Sequence, residues 1–272
     1  MTNTRKIFFF DIDDTLTSEL TGQIPQSAID AIHEAQQAGH LMYINTGRPM
    51  RAVPEFVKKI NFDGYICGCG SQICDSQGKE LWGVPLRGHE EAVELVEAAR
   101  LCKGDLVLEG PGELAAAIFA EPTTSGYTFD TERYKTQNVF MADPLEAGYQ
   151  FIKFVVFVNK AEDIRPFREI SDAKYTCIDR GPYLTSHLYE FMTKGCSKAS
   201  GILQVCKLHG IDPADTYAFG DSANDVAMFT AAATCVAMGN CNSEELFSLA
   251  TWVTDKASED GLAHAIYRIL NQ

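Results

Sequence analysis

Short apolar runs alternate with amphipathic stretches at both ends of the 272-residue chain, and this alternation constrains the fold more than any other feature. In the first third, residues 6–10, 41–45 and 65–67 resemble short buried strands, and residues 24–38 and 49–60 have helical spacing. The last third repeats the pattern, with strands at 216–219, 234–237 and 252–254 and helices at 197–209, 224–231, 243–249 and 261–270. Strand–helix–strand alternation predicts an α/β fold in which helices cover the faces of a parallel sheet.

The middle of the chain interrupts this alternation. Between residues 83 and 187, predicted helices at 90–101 and 163–170 are mixed with predicted strands at 106–108, 152–158 and 175–178. This order predicts an α+β unit inserted into the α/β domain. We therefore expect a discontinuous first domain of residues 1–82 and 188–272, and an inserted second domain of residues 83–187.

The charge balance is acidic, since 23 Lys and Arg face 37 Asp and Glu and give a formal net charge of −14. Such a chain repels nucleic-acid backbones and anionic lipids, so we expect neither nucleic-acid nor membrane partners. Asp11 and Asp13 interrupt the N-terminal apolar run too early for the apolar core of a signal peptide, so we expect no signal peptide. Nine scattered cysteines predict free thiols and a cytoplasmic location.

The first chemical motif is Asp11-Ile12-Asp13-Asp14-Thr15-Leu16, directly after the predicted strand at 6–10. Carboxylates two residues apart project to the same side of an extended segment, and the carboxyl end of a parallel strand opens into the ligand crevice of α/β folds. One carboxylate could attack as a nucleophile while the other transfers a proton, beside a shared divalent cation. A helix cap at Asp14 or Thr15 is the structural alternative, but it leaves Asp11 and Asp13 unexplained.

A second acidic motif, Gly220-Asp221-Ser222-Ala223-Asn224-Asp225, also follows a predicted strand. Asp221 and Asp225 are four residues apart and lie close to one face as the chain turns into a helix. Carboxylate oxygens suit Mg²⁺, although helix capping would explain this motif equally well if it stood alone. Its combination with the first motif favours a Mg²⁺ site.

Two weaker motifs supply positive charge and hydrogen-bond donors. Asn45-Thr46-Gly47-Arg48-Pro49 follows a predicted strand and opens a helix, where a hydroxyl and free N–H groups form an oxyanion cradle or an ordinary cap. Ser197-Lys198 begins another helix. Lys198 is either a solvated surface residue or the cation that the clustered carboxylates need.

The segments DIDDTLT, INTGRP, SK after KGC, and GDSANDVAMF resemble the four motifs of the haloacid dehalogenase superfamily, in that family's order. With its inserted middle region, the chain is most similar to the Cof-type phosphatases, which carry a large α/β cap, of type IIB, between the second and third motifs. The resemblance implies a Rossmann-like core of residues 1–82 and 188–272 and a cap, residues 83–187, that sets substrate specificity. Two positions depart from the family pattern: Cys69 replaces a common Asn, and Asp14 replaces the commoner Gly.

The resemblance also implies roles for individual residues. Asp11 would be the nucleophile that forms an aspartyl-phosphate, Asp13 would be the general acid and base, and Thr46 and Lys198 would hold the phosphoryl group. The implied Mg²⁺ site comprises Asp11, Asp13 (through its backbone carbonyl), Asp221 and Asp225. The implied substrate-binding residues are Thr46, Gly47, Arg48, Lys198 and Asn224.

The expected function is therefore a cytoplasmic, Mg²⁺-dependent phosphatase that hydrolyses small phosphorylated metabolites, with sugar phosphates expected, as a monomer or small homo-oligomer. A sugar phosphomutase and a phospho-ligand-binding module without turnover remain alternatives. A zinc or redox role of Cys67, Cys69 and Cys74 is weaker, because a fourth ligand with suitable spacing is missing. The segment from Gly110 to Ala115 matches a dinucleotide-binding fingerprint, but Pro111 removes a backbone donor from it.

Overall fold

The computed structural model describes residues 4–111, 114–119, 141–146 and 148–271. Within these residues the strands are β1 (Ile7–Phe10), β2 (Leu41–Asn45), β3 (Gly64–Cys67), β4 (Gln72–Asp75), β5 (Glu80–Gly83), β6 (Asp105–Glu109), β7 (Leu114–Ile118), β8 (Met141–Ala142), β9 (Lys153–Val158), β10 (Tyr175–Tyr183), β11 (Ser186–Thr193), β12 (Thr216–Gly220), β13 (Thr234–Ala237) and β14 (Trp252–Val253). The α-helices are α1 (Gln26–Gln37), α2 (Glu55–Lys58), α3 (His89–Cys102), α4 (Arg165–Ser171), α5 (Lys198–His209), α6 (Val226–Phe229), α7 (Glu244–Leu249) and α8 (Gly261–Leu270).

The described chain divides into two compact units. The first contains the residues up to Gly47, Glu55–Gly83 and the residues from Cys196 onward. The second contains Arg48–Pro54 and Val84–Gly195. The expected inserted domain ended at residue 187, whereas the second unit extends to Gly195, because β11 pairs with β9 over His187–Met192.

The first unit is built on an eight-stranded sheet with the order β14-β13-β12-β1-β2-β3-β4-β5. The strands from β14 to β3 are parallel neighbours, and β4 and β5 add an antiparallel edge. All four side chains of β1 are completely buried, as expected for a central strand with covered faces. The predicted α/β fold is therefore confirmed. Because β12, β1 and β2 are adjacent and parallel, their carboxyl ends meet at one edge of the sheet.

The second unit contains a six-stranded sheet with the order β10-β11-β9-β6-β7-β8, which is antiparallel except for the β7–β8 pair. Helix α3 packs against α4, β6 and β7. One face of the sheet contributes Leu106, Phe154 and Phe191 to the main core of this unit. By strand alternation, Glu109, Lys153 and Glu190 share the opposite face.

Local structure differs from the sequence predictions in several places. The helix predicted for residues 49–60 is wrong: the chain forms a 3₁₀ turn at Met50–Ala52 and then the short helix α2, because Pro54 cannot continue a helical hydrogen-bond ladder. The β4–β5 hairpin was not predicted, because its strands contain Gln, Asp and Glu rather than a continuous apolar run. Strands β7, β8 and β11 of the second sheet were not predicted either.

The segment from Gly110 to Ala115 does not open a helix. The segment leads into β7, which pairs antiparallel with β6, with Glu109 opposite Leu114. Since a strand and not a helix follows the fingerprint, the dinucleotide-binding alternative is wrong. Gly112 and Glu113 of this segment lie outside the described residues. Among the helices of the described ranges, none is long and apolar enough to cross a lipid bilayer.

A buried ion-pair network lies on the second sheet. The Lys153 ammonium is 2.6 Å from Glu190 and 3.2 Å from Glu109, and Arg180 also pairs with Glu190. Burial by itself would raise the pKa of Glu190, but the positive charges of Lys153 and Arg180 outweigh it and lower that pKa to about 2. The network therefore stabilises the fold as long as Glu190 is ionised.

We expect Glu190→Gln to lower the free energy of unfolding at pH 7 by about 2 kcal/mol, because the buried ammonium of Lys153 keeps only one of its two carboxylates, Glu109, and Arg180 loses its charged partner. The stabilisation from an ionised Glu190 is complete above the pKa of an exposed Glu, 4.5, and is lost as the pH falls towards about 2. The difference between wild type and variant should therefore shrink over this interval in urea titrations. The control Glu97→Gln removes an exposed partner of Arg100 and should change stability by less than about 1 kcal/mol; equal effects of the two variants would contradict the prediction.

Candidate active site

The first acidic motif leaves the central strand β1 at Asp11, where the backbone is extended, and then turns sharply through residues 12–16. Asp14 adopts a left-handed conformation with φ of 56°. Glycine suits this conformation best, and Asp is among the few other residues that tolerate it. Asp14 can therefore occupy a position where the family motif more commonly has Gly. Asn240 donates a hydrogen bond of 2.7 Å to the carbonyl of Asp14 and helps to hold the turn.

Lys198 connects the first motif with the last. Its ammonium lies 2.7 Å from Asp11 Oδ1 and 2.5 Å from Asp225 Oδ1, and all three side chains are buried. Burial opposes the charge of Lys198, but Asp11 and Asp225 outweigh it and raise its pKa. Lys198 is therefore a buried cation with two carboxylate partners, not a solvated surface residue.

Asp221 lies within the same cluster. It accepts a hydrogen bond of 3.0 Å from the Thr15 hydroxyl, and its own N–H donates to Asp225 Oδ2 over 3.1 Å. Burial and the negative charges of Asp225 and Asp11 raise the pKa of Asp221 to about 7. Burial also raises the pKa of Asp11, and Lys198 opposes that rise. The site thus holds more negative charge than Lys198 alone can balance.

This charge excess fits a divalent cation. Among the described residues, the one group of His, Cys, Asp and Glu side chains that could hold a metal is Asp11, Asp221 and Asp225, whose ligand atoms all lie within 4.8 Å of one another. When all three carboxylates are ionised, they exceed the single ammonium by two negative charges, which a divalent cation would neutralise. Oxygen donors of this kind are those that Mg²⁺ prefers.

The other predicted site residues are placed differently. Thr46 is buried at the end of β2, and its backbone contacts Ile66 and Cys69. Asp13 is exposed, but its charge contributes to the raised pKa of Asp11, so it lies near the cluster. Asn224 is exposed and accepts a hydrogen bond from Ser222.

Gly47 and Arg48 fall in different units. Gly47 is the last residue of its segment in the first unit, where an added Cβ would lie 3.2 Å from Cys69 Sγ. Arg48 belongs to the second unit, where it donates a hydrogen bond to the carbonyl of Ala52.

Three residues that contact the site were not predicted from the sequence: Thr15 contacts Asp221, Asn45 contacts the carbonyl of Lys198, and Asn240 contacts the carbonyl of Asp14. Thr15 was considered only as a helix cap, although its position within the first motif could have indicated a contact with a neighbouring strand end. Asn240 follows β13, and Asn45 precedes Thr46. Their positions in the sequence do not indicate a contact with the site. Their contacts depend on how distant segments meet in the fold.

Gly220 leaves no room for a larger residue behind the cluster. An added Cβ would lie 2.5 Å from Asp225 Cβ and 2.7 Å from Asp225 Oδ2. The strand end and the buried carboxylate therefore approach each other only because residue 220 has no side chain.

We expect Gly220→Ala to destabilise the protein by about 1–3 kcal/mol, because the new methyl group must displace Asp225 or β12. Urea unfolding measures this change. Gly88→Ala is the matched control, since a Cβ at Gly88 meets no atom within 4 Å and the backbone there has φ of −122°. A Gly220→Ala variant as stable as the control would contradict the prediction, because the protein would then accommodate the methyl group with no loss in the free energy of unfolding.

Known proteins resemble this chain over most of its length. The model of the haloacid dehalogenase-like hydrolase family matches residues 8–266. The chain is 28% identical over 266 residues to YkrA of Bacillus subtilis (strain 168), covering 96% of each chain. It is 26% identical over 262 residues to the 5-amino-6-(5-phospho-D-ribitylamino)uracil phosphatase YitU of the same organism, covering 93% of each. The solved structure of the HAD subclass IIB sugar phosphatase BT4131 is similar, with 25% identity, a TM-score of 0.77 and coverage of 97% of this chain and 98% of that one. The chain therefore belongs to the haloacid dehalogenase-like hydrolase family.

Proposed function

We propose that this protein is a Mg²⁺-dependent phosphatase that hydrolyses small phosphorylated metabolites, sugar phosphates among them, through an aspartyl-phosphate on Asp11. The observation that carries the proposal is the position of Asp11 at the end of β1, paired with Lys198 and grouped with Asp221 and Asp225. Relatives named as phosphatases of a ribitylaminouracil phosphate and of sugars support the reaction and the substrate class.

In the first half-reaction, a carboxylate oxygen of Asp11 attacks the phosphorus atom of a phosphate monoester. A bond forms between this oxygen and phosphorus, and the bond from phosphorus to the ester oxygen breaks. The leaving oxygen takes a proton from Asp13, which is exposed and therefore accessible to substrate and water. The alcohol is released and Asp11 keeps the phosphoryl group.

In the second half-reaction, Asp13 accepts a proton from water, and the water oxygen attacks the same phosphorus atom. The bond to Asp11 breaks, so inorganic phosphate leaves and the free carboxylate is regenerated. Lys198, with Thr46 at the end of β2, would hold the phosphoryl oxygens throughout. Mg²⁺ held by Asp11, Asp13, Asp221 and Asp225 would neutralise the negative charge of these oxygens.

The remaining expectations are part of the proposal. Gly47, Arg48 and Asn224 are proposed to help bind substrate. The second unit, which was expected as a cap at residues 83–187 in a core of residues 1–82 and 188–272 and which extends to Gly195, is proposed to set specificity. A cytoplasmic location is supported by nine free cysteines, which suit a reducing compartment. The expectation of a monomer or small homo-oligomer stays a prediction.

We expect Asp11→Asn to lower the rate of phosphate release from 4-nitrophenyl phosphate by about 10³-fold or more, because an amide cannot act as the nucleophile. Circular dichroism should show an intact fold. Asp14→Asn is the matched control, since Asp14 is a neighbouring exposed carboxylate without an assigned role, and it should keep most of the activity. An Asp11→Asn enzyme with near wild-type turnover would exclude the aspartyl-phosphate route.

Removal of divalent cations tests the metal dependence. We expect EDTA to abolish phosphate release and added Mg²⁺ to restore it, because three buried carboxylates would otherwise repel an anionic substrate. Full activity in EDTA would exclude the metal dependence.

Assays with sugar-phosphate isomers distinguish a phosphatase from a phosphomutase. We expect them to yield free phosphate. Conversion between isomers without phosphate release would instead identify a phosphomutase.

A further inference from the structure

Asn45 is a buried amide at the end of β2, next to Thr46. Its side chain is 0% exposed. The Nδ2 group donates a hydrogen bond of 3.0 Å to the main-chain carbonyl of Lys198, across 153 residues of sequence. The contact therefore joins the end of a central strand directly to the residue whose ammonium lies between Asp11 and Asp225.

We propose that Asn45 is a positioning residue that fixes the main chain of Lys198, so that its ammonium reaches both carboxylates. This inference rests on the proposed function, because it assigns a catalytic consequence to the position of Lys198. It assigns Asn45 no direct contact with substrate.

The start of α5 is also fixed by a helix cap and by close packing against a loop. Ser197 caps the helix, its hydroxyl accepting from the N–H of Ser200 over 3.1 Å. A Cβ on Gly70 would lie 2.1 Å from the carbonyl oxygen of Ser197, so the helix start sits directly against the loop after β3. The hydrogen bond of Asn45 links the helix start to β2, the strand that immediately precedes Thr46.

Stability does not account for an amide at this position. Asn45 Oδ1 is buried and has no hydrogen-bond partner among the described residues. A buried polar atom without a partner costs about 1–3 kcal/mol, whereas the single hydrogen bond of Nδ2 contributes about 0.5–1.5 kcal/mol. An apolar side chain of similar size would avoid the cost, so a residue selected only for stability would not be Asn.

The placement of Lys198 is sensitive to such a link. Its ammonium lies 2.7 Å from Asp11 Oδ1 and 2.5 Å from Asp225 Oδ1, and a movement of the helix start would lengthen one or both distances. Displacement of a catalytic group by about 1 Å can reduce a rate by as much as about 100-fold. Asn45 would therefore act on turnover through Lys198.

The test compares Asn45→Leu with wild type in turnover of 4-nitrophenyl phosphate and in thermal unfolding. We expect kcat to fall by about 10-fold or more while the melting temperature stays the same or rises. A merely structural Asn45 would give the opposite result, with a lower melting temperature and unchanged kcat per folded enzyme, and this would overturn the inference. Should the Leu variant fail to fold, Asn45→Ala is assayed for the same loss of kcat per folded enzyme, and an unchanged kcat there would overturn the inference.

Gln72 supplies a matched control. It is a second buried amide with one hydrogen bond, 2.8 Å to Glu80, and an oxygen without a partner among the described residues, but it lies on β4. Gln72→Met should leave kcat unchanged. An equal loss of kcat in both variants would mean that removal of any buried amide is harmful, and would overturn the specific role of Asn45.

A double-mutant cycle with Lys198→Met identifies the route of the effect. If Asn45 acts through Lys198, Asn45→Leu should cause no further loss in single-turnover rate once Lys198 is replaced. Additive losses would overturn the inference. The proposed function is tested separately by Asp11→Asn: activity retained there rejects the nucleophile, whereas an inactive Asp11→Asn with a fully active Asn45→Leu rejects only the role of Asn45.

Discussion

The ion pairs of Lys198 with Asp11 and Asp225 are the interaction on which the site depends. Three buried carboxylates would repel one another in the absence of a cation, and each would lose hydration on folding. Lys198 compensates part of this cost, and the hydroxyl of Thr15 and the backbone N–H groups of Asp221 and Ser222 compensate another part. The negative charge that remains is what makes the cluster suited to a divalent metal ion.

The sheet order makes this arrangement possible. Asp11, Thr46 and Asp221 follow three adjacent parallel strands, so residues far apart in sequence leave the sheet at the same edge. Glycines then permit close approach where side chains would separate the segments: Gly220 against Asp225, and Gly70 against Ser197. The strands supply the location of the site, and these contacts set the distances within it.

Much of this architecture could be predicted from the sequence, because it depends on local patterns. Apolar strands followed at once by acidic motifs predict where Asp11 and Asp221 emerge, and the motif order indicates the family. The helix predicted for residues 49–60 was wrong because the effect of Pro54 was overlooked, and the β4–β5 hairpin has no apolar run to reveal it. The contact of Asn45 with Lys198 could not be predicted, since it depends on how a strand end and a helix start meet in three dimensions.

The assignment of Arg48–Pro54 to the second unit has a practical consequence. The polypeptide passes between the two units four times, after Gly47, Pro54, Gly83 and Gly195, so the second unit is made from two separate pieces of sequence. A chimaera that exchanges only residues 84–195 with a relative would combine the new piece with the old seven-residue segment. Exchange of both pieces together is needed to transplant the unit intact.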